Sequence, residues 1–590
     1  SSETSLRARS HCTRFRNVLT RTQPSAYRVR LTQLPMTLAM KKFHVLAGLS
    51  LALLAAGAAG AQSPLFPELV KVLPEQDVKA VESQAPELEE ALRPIYASMP
   101  HNEHGKTGRS VVRYVLHRLF MQRGWSVRGL EPAGQGWAAG SPTEMLGDGL
   151  PKEAKELFDA RLDGEGLDLS DVALLAAAFK AVVRGELRAR LQGAYRGNQL
   201  EPSATLGEDD AQRVLETYTS VFVVGKDISS LSNFEIKQAE HRARREYSNL
   251  PQVLTLAREL KQRYAPGSSA GFSDLARVVE ELGERFGPTE DSAECRPRKK
   301  ELLELEHRAT GRVKLSEFYR AALHDGKWHF GESSAYLRQL GSLDETDPND
   351  MQIIIPNYIN SKSNCVDSSK YYSVCCLNEC DALLGSLESA VGSPSATVSE
   401  IAPLVAAMAS NTVPGNRTLP ASLMRRLEEV ADGNDGRVPL HGRLFAQWMH
   451  HAYPRECPFP HISGTTSPVR VEDWAAEEGN EVVASHEEMR QHVETPRKPQ
   501  RQPAGGEADD EGECAPWMEH EEILAPHVPS EQRAKRSMAS AVWWIASAIA
   551  LLAALATGAA RVAAAPKCDG AGHGRREEEK MADFAIVYNV

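Results

Sequence analysis

The residues best suited to chemistry crowd into 440–461, where His441, His450, His451, Cys457 and His461 occur together. Imidazole and thiolate at that density are zinc-type ligands. Spacing limits what they can do. On a helix starting at Leu440, His441 and His451 would point about 80° apart but lie about 15 Å apart along the axis, too far to share one ion. His450 and His451 would point about 100° apart. A metal centre, or a lumenal metal-dependent enzyme built on one, therefore needs His451, Cys457 and His461 gathered by the turn Pro454–Pro460, with His441 supplied from elsewhere. The competing reading is packing, because Leu444, Phe445, Trp448 and Met449 form an ordinary apolar face.

Cysteine usage points to an oxidising compartment. Setting aside Cys12 near the start and Cys568 near the end leaves Cys295, Cys365, Cys375, Cys376, Cys380, Cys457 and Cys514. Four of them fall within Asn364–Cys380, which in a secreted chain reads as a disulfide framework. Neighbours Cys375 and Cys376 are poor partners for each other. At least one cysteine of the cluster is expected to reach outside it, to Cys457 or Cys295, joining the 440–461 segment to the cluster. The connectivity itself stays open, and Cys514 is left over.

A calcium reading attaches to Glu306, Gly311, Val313 and Glu317, which occupy the first, sixth, eighth and twelfth places of an EF-hand-like loop. Arg308 and Thr310 stand where further oxygen ligands belong, so calcium would be held weakly or not at all. Asp159, Asp163 and Gly164 begin a similar loop that ends on Ser170 rather than a glutamate. Three literal motifs fail on context. Gly267–Gly271 spells a nucleophile elbow without the strand before it. Gly134–Ala139 spells a dinucleotide fingerprint without the helix behind it, and Gly105-Lys106-Thr107 lacks the first glycine of a phosphate loop. Asn416-Arg417-Thr418 is an N-glycosylation sequon in a Pro/Gly-rich loop. Arg533–Arg536 reads as a basic flank rather than a convertase site.

The elements that must carry these residues are mostly helices. Ser110 can cap an amphipathic helix with Val111, Val112, Val115, Leu116, Leu119 and Phe120 on one face. Further helices are expected over 169–187, 210–224, 252–263, 273–286, 299–308, 315–323, 332–340, 377–391, 398–408, 421–431 and 440–452, with a strand at 351–355. No repeat of fixed period is visible. Residues 466–537, rich in Glu, Pro, Gly and Gln, cannot bury enough surface to offset chain entropy and read as a disordered stalk.

The chain has 590 residues, room for several domains, and a net charge of −11 that argues against nucleic acid as a partner. Residues 1–39 carry Arg7, Arg9, Arg14, Arg16, Arg21, Arg28 and Arg30 against the single acid Glu3, either a basic leader or a non-native extension. Met40-Lys41-Lys42, an apolar run and Ala59-Gly60-Ala61 then read as a signal peptide over 40–61. Met538–Ala560 holds no charge and is long enough to cross a hydrocarbon core of about 30 Å, with Trp543 and Trp544 near one end. Together they imply a single-pass type I membrane protein. Its ectodomain would be lumenal or extracellular, a helical part over 62–345 followed by a Cys/His-rich helical subdomain over 346–465, and 561–590 would face the cytosol.

Two blocks carry a resemblance. Ile355-Pro356-Asn357-Tyr358 with Tyr371–Cys376, and Val438–Arg443 with Pro454-Arg455-Glu456-Cys457-Pro458, resemble a group of secretory membrane proteins of dinoflagellate-type algae. The resemblance covers about residues 100–470. It implies a shared ectodomain and carries no activity, cofactor or partner with it. The expectation is thus a mainly α ectodomain, stapled by disulfides, on one membrane helix, serving interaction with a protein partner or surface structure without a cofactor.

Overall fold

The computed structural model describes residues 63–130, 140–306, 308–325, 330–477, 479–494 and 517–523. The basic leader, the signal-like segment, the apolar run 538–560, the tail, Arg533–Arg536, Gly134–Ala139, Cys12, Cys514 and Cys568 lie outside them. The described chain is mainly helical. None of its helices is long and apolar enough to cross a membrane.

A helix ends, a loop turns, and a short extended stretch opens the next helix; this sequence recurs along the chain. The extended stretches then meet in antiparallel pairs. Thr107, just before helix Arg109–Met121, bridges Leu167, just before helix Leu169–Gly197. Leu206–Gly207 pairs with Ser269–Ala270, opening helices Glu208–Val223 and Phe272–Glu290. Arg312–Lys314 pairs with Gln352–Ile354, opening Leu315–Asp325 and Ile355–Ile359, and Leu343–Asp344 adds a third strand. Ser395–Ala396 pairs with Val438–Pro439, ahead of Val398–Ala407 and Arg443–Ala452. Each such loop leaves backbone N–H and C=O groups inside the fold, and pairing two loops satisfies both at once. The result is a series of paired helix–loop–helix units, of which the sequence signalled the 306–317 and 159–170 loops. Connectors of unequal length hide the repetition from any fixed period.

Side-chain oxygens set several helix starts. Asp168 accepts from Asp171 N–H at the start of Leu169–Gly197, and Ser232 with Glu235 and Thr397 with Glu400 form reciprocal caps. The alanines 173, 176, 177 and 178 are fully buried and let helix Glu75–Ala97 lie close along Leu169–Gly197.

Three apolar clusters result. The largest spans 65–286 and takes in Tyr371, Tyr372 and Val374. A second is built from 383–457, and a third from 295–359 with Cys376, Ala484 and Met489. Residues 371–380 therefore thread all three. Their strand Tyr372–Val374 pairs with Trp125–Val127, and Trp125 stacks on Tyr372 at 4.3 Å. Behind that strand Gly287 must be glycine, since a Cβ there would sit 2.2 Å from the Arg123 carbonyl oxygen.

The expected disordered stalk needs correcting within the described residues. Val471–Ala476 and His486–Glu494 are helices. Val483 bridges Glu332, Glu488 accepts from Ser334 N–H, and Met489 is buried in the third cluster. Residues 517–523 lie along helix Arg443–Ala452, where Arg443 donates to the Met518 and His520 carbonyls. By composition this segment cannot form a core of its own. It does not have to, because it docks on faces that other residues have already built.

Candidate functional site

The cysteine cluster resolves into three bonds. Cys295 pairs with Cys376 and Cys380 with Cys457, while Cys365 and Cys375 pair within the cluster. The two outward bonds span 81 and 77 residues. Cys380–Cys457 brings the 454–458 segment to the cluster, as expected. Phe459, the residue just after the second block of the resemblance, meets the first: Asn357 donates to its carbonyl at 2.9 Å and accepts from its N–H at 2.7 Å.

These bonds undo the metal reading. Cys457 Sγ is in a disulfide and is not a thiolate. His461 Nε2 donates to the Gly341 carbonyl at 2.7 Å, and burial lowers its pKa. His451 lies against Trp517 at 5.8 Å. Among the described residues, no group of three or more His, Cys, Asp and Glu side chains is placed to hold a metal ion. His450, absent from the proposed ligand set, is fully buried. Its Nδ1 donates to the Cys457 carbonyl at 2.7 Å, and Arg312 Nη1 approaches Nε2 at 3.2 Å. An always-charged guanidinium can only donate, so Nε2 accepts and the ring is neutral. Burial, then the Arg312 charge, pushes its pKa down to about 3.

The calcium reading fails for a different reason. The 306–317 loop has the expected turn, with Gly311 at φ 73° and a strand at Arg312–Lys314. Gly311 is also where Pro454 crosses, since a Cβ would lie 1.9 Å from the Pro454 carbonyl oxygen. Arg455 follows, and its Nη2 stands 2.5 Å from Glu306 Oε2, while Glu317 pairs with Arg320. A guanidinium from another unit occupies the carboxylate that calcium would need. In the 159–170 loop, Asp163 and Asp159 are both paired with Arg109.

A buried charge cluster escaped the sequence reading. Arg118 donates to both oxygens of Glu388, at 3.0 and 3.2 Å, and its Nε lies 3.4 Å from Asp381. His441 Nε2 meets the same Glu388 at 3.0 Å. Burial works to raise the Glu388 carboxyl, but the His441 hydrogen bond and the Arg118 charge outweigh it and hold it low. Burial raises Asp381 and lowers His441. The cluster joins helix Arg109–Met121 of the first core to helix Glu379–Val391 of the second. Arg118, Glu388 and His441 are buried, with Glu388 at 0% exposure, so the cluster pins the two cores together, while Asp381 stands at its partly exposed edge. Its sequence signal was a charge inside an apolar stripe: Arg118 beside Leu119, and Glu388 beside Leu387. The sequon residue Asn416 is exposed in the loop between helices Val398–Ala407 and Ala421–Asp432.

Comparison of the chain with family models, curated proteins and solved structures finds no match.

Proposed function

We propose that the chain is a single-pass type I membrane protein whose disulfide-locked helical ectodomain works by binding a partner or as surface structure, not by catalysis. The observation that carries this reading is the pairing of Cys295, Cys365, Cys375, Cys376, Cys380 and Cys457 in three bonds. Disulfides persist in secretory and extracellular compartments, where the signal-like segment at Met40 would deliver the chain. The apolar run Met538–Ala560 supplies the anchor. Support for a non-catalytic role comes from the side chains most able to do chemistry. Glu306, Glu388, His441, His450 and Cys457 are all engaged with neighbours inside the protein.

Translation into sealed microsomes tests the topology. Asn416 is expected to acquire glycan, and the segment after Arg561 to be open to added protease. A protected tail with an unmodified Asn416 would invert the arrangement.

A further inference from the structure

A cleft of about 590 Å³ opens where the first and second cores approach each other. Four carboxylates line it, Asp291, Glu379, Asp381 and Glu456, against the single guanidinium of Arg296, and Leu377 and Leu383 give it apolar walls. Three of the carboxylates are engaged. Asp291 holds Leu377 N–H and Arg296, Glu379 holds Lys299 and Asn411, and Asp381 faces Arg118. Glu456 differs. It is only 2% exposed, and its Oε1 accepts from Ser410 Oγ, Thr412 N–H and Thr412 Oγ1 at 2.7, 3.1 and 2.8 Å. Its Oε2 is buried with no hydrogen-bond partner among the described residues. A buried carboxylate oxygen without a donor is costly, so such a group implies a missing partner.

We propose that this cleft binds an alkyl cation, an ammonium or guanidinium on an aliphatic stem, with its N–H groups on Glu456 Oε2 and its stem along Leu377 and Leu383. A calcium ion would require six to eight oxygen ligands. One buried, unpartnered oxygen beside apolar walls instead suits a charged head on a hydrocarbon stem, which keeps its stem on apolar surface and its charge on the carboxylate. The same chemistry is offered by a lysine or arginine side chain of a partner and by a free polyamine. The inference deepens the proposed binding role and rests on it. The microsome assay makes no reference to the cleft, so the two can fail separately.

Calorimetric titration of the full chain with spermidine and with N-acetyl-arginine-N-methylamide is the test. Saturable binding of either cation is expected; tighter spermidine binding indicates a free polyamine, and tighter binding of the arginine derivative indicates a partner side chain. Glu456→Gln keeps an oxygen for Ser410 and Thr412 and is expected to weaken binding at least tenfold. Ala382→Arg, at an exposed position on the cleft, brings an internal guanidinium and is expected to abolish binding whether or not the first variant folds. No saturable heat from either cation, or unchanged affinity in both variants, overturns the proposal.

Discussion

Residues 63–290 and 291–461 solve the same problem in different ways. The first region contains no cysteine and surrounds one large core in which Val172–Phe179 alone contributes eight consecutive buried residues. The second lends Tyr371, Tyr372 and Val374 to that core, builds two smaller cores from its other buried apolar residues and holds all six bonded cysteines. Buried area per residue grows with the size of a core, so a small core leaves a thinner margin over chain entropy and benefits most from covalent staples. The helix–loop–helix unit is therefore not self-sufficient. Where many helices share one core it stands on apolar burial, and where few do it is stapled.

Removing a staple gives the largest expected effect. The pair Cys380→Ser and Cys457→Ser is expected to destabilise the 377–461 part by about 2–4 kcal/mol. Hydrogen exchange should show early loss of protection in Arg443–Ala452 while Leu169–Gly197 keeps its own. Equal loss in both regions would erase the contrast. A smaller effect is expected on acidification. His450 in the stapled region and His117 in the other are each pushed down to about 3 by burial and neighbouring cations. In the unfolded chain both titrate near 6.5, so the unfolded state takes up protons first as pH falls. Stability is therefore fully present above about pH 6.5 and declines from there toward pH 3. His450→Gln retains a donor for Cys457 O and an acceptor for Arg312, and is expected to flatten the pH dependence of melting in the stapled region only. A slope equal to that of the unaltered chain would refute the neutral, buried His450. The smallest effect concerns calcium. With Arg455 on Glu306, millimolar calcium is expected to leave tryptophan fluorescence and the melting temperature unchanged, because a ligand stabilises only by what it binds. A rise in melting temperature would restore the loop as a calcium site.

Much of the helical content was legible. The expected helix over 273–286 lies within Phe272–Glu290, and the expected strand over 351–355 contains Gln352–Ile354. Strand Trp125–Val127 was not, because a strand of three residues exists only through its pairing with Tyr372–Val374. The expected helix 299–308 instead ends at Leu305, and Arg308 and Ala309 take positive φ where the loop turns under Pro454. Of the chemistry-bearing residues, spacing could show that His441 and His451 cannot share an ion. It could not show that Arg455 would cover Glu306, since that contact joins residues 149 apart in sequence.

The periodicity of the helices, the reach of the cysteine cluster beyond itself and the apolar run at 538–560 could all be read from the order of residues. These are local properties, carried by side-chain pattern over a few turns or by composition over one segment. Tertiary structure alone decided which cysteine meets which, that Glu388 holds both Arg118 and His441, and that 481–494 lies folded on the body. The physical reason is that each of those outcomes is a contact between segments far apart in the chain. Its stability comes from burial and desolvation at the meeting point, and neither exists until the packing does.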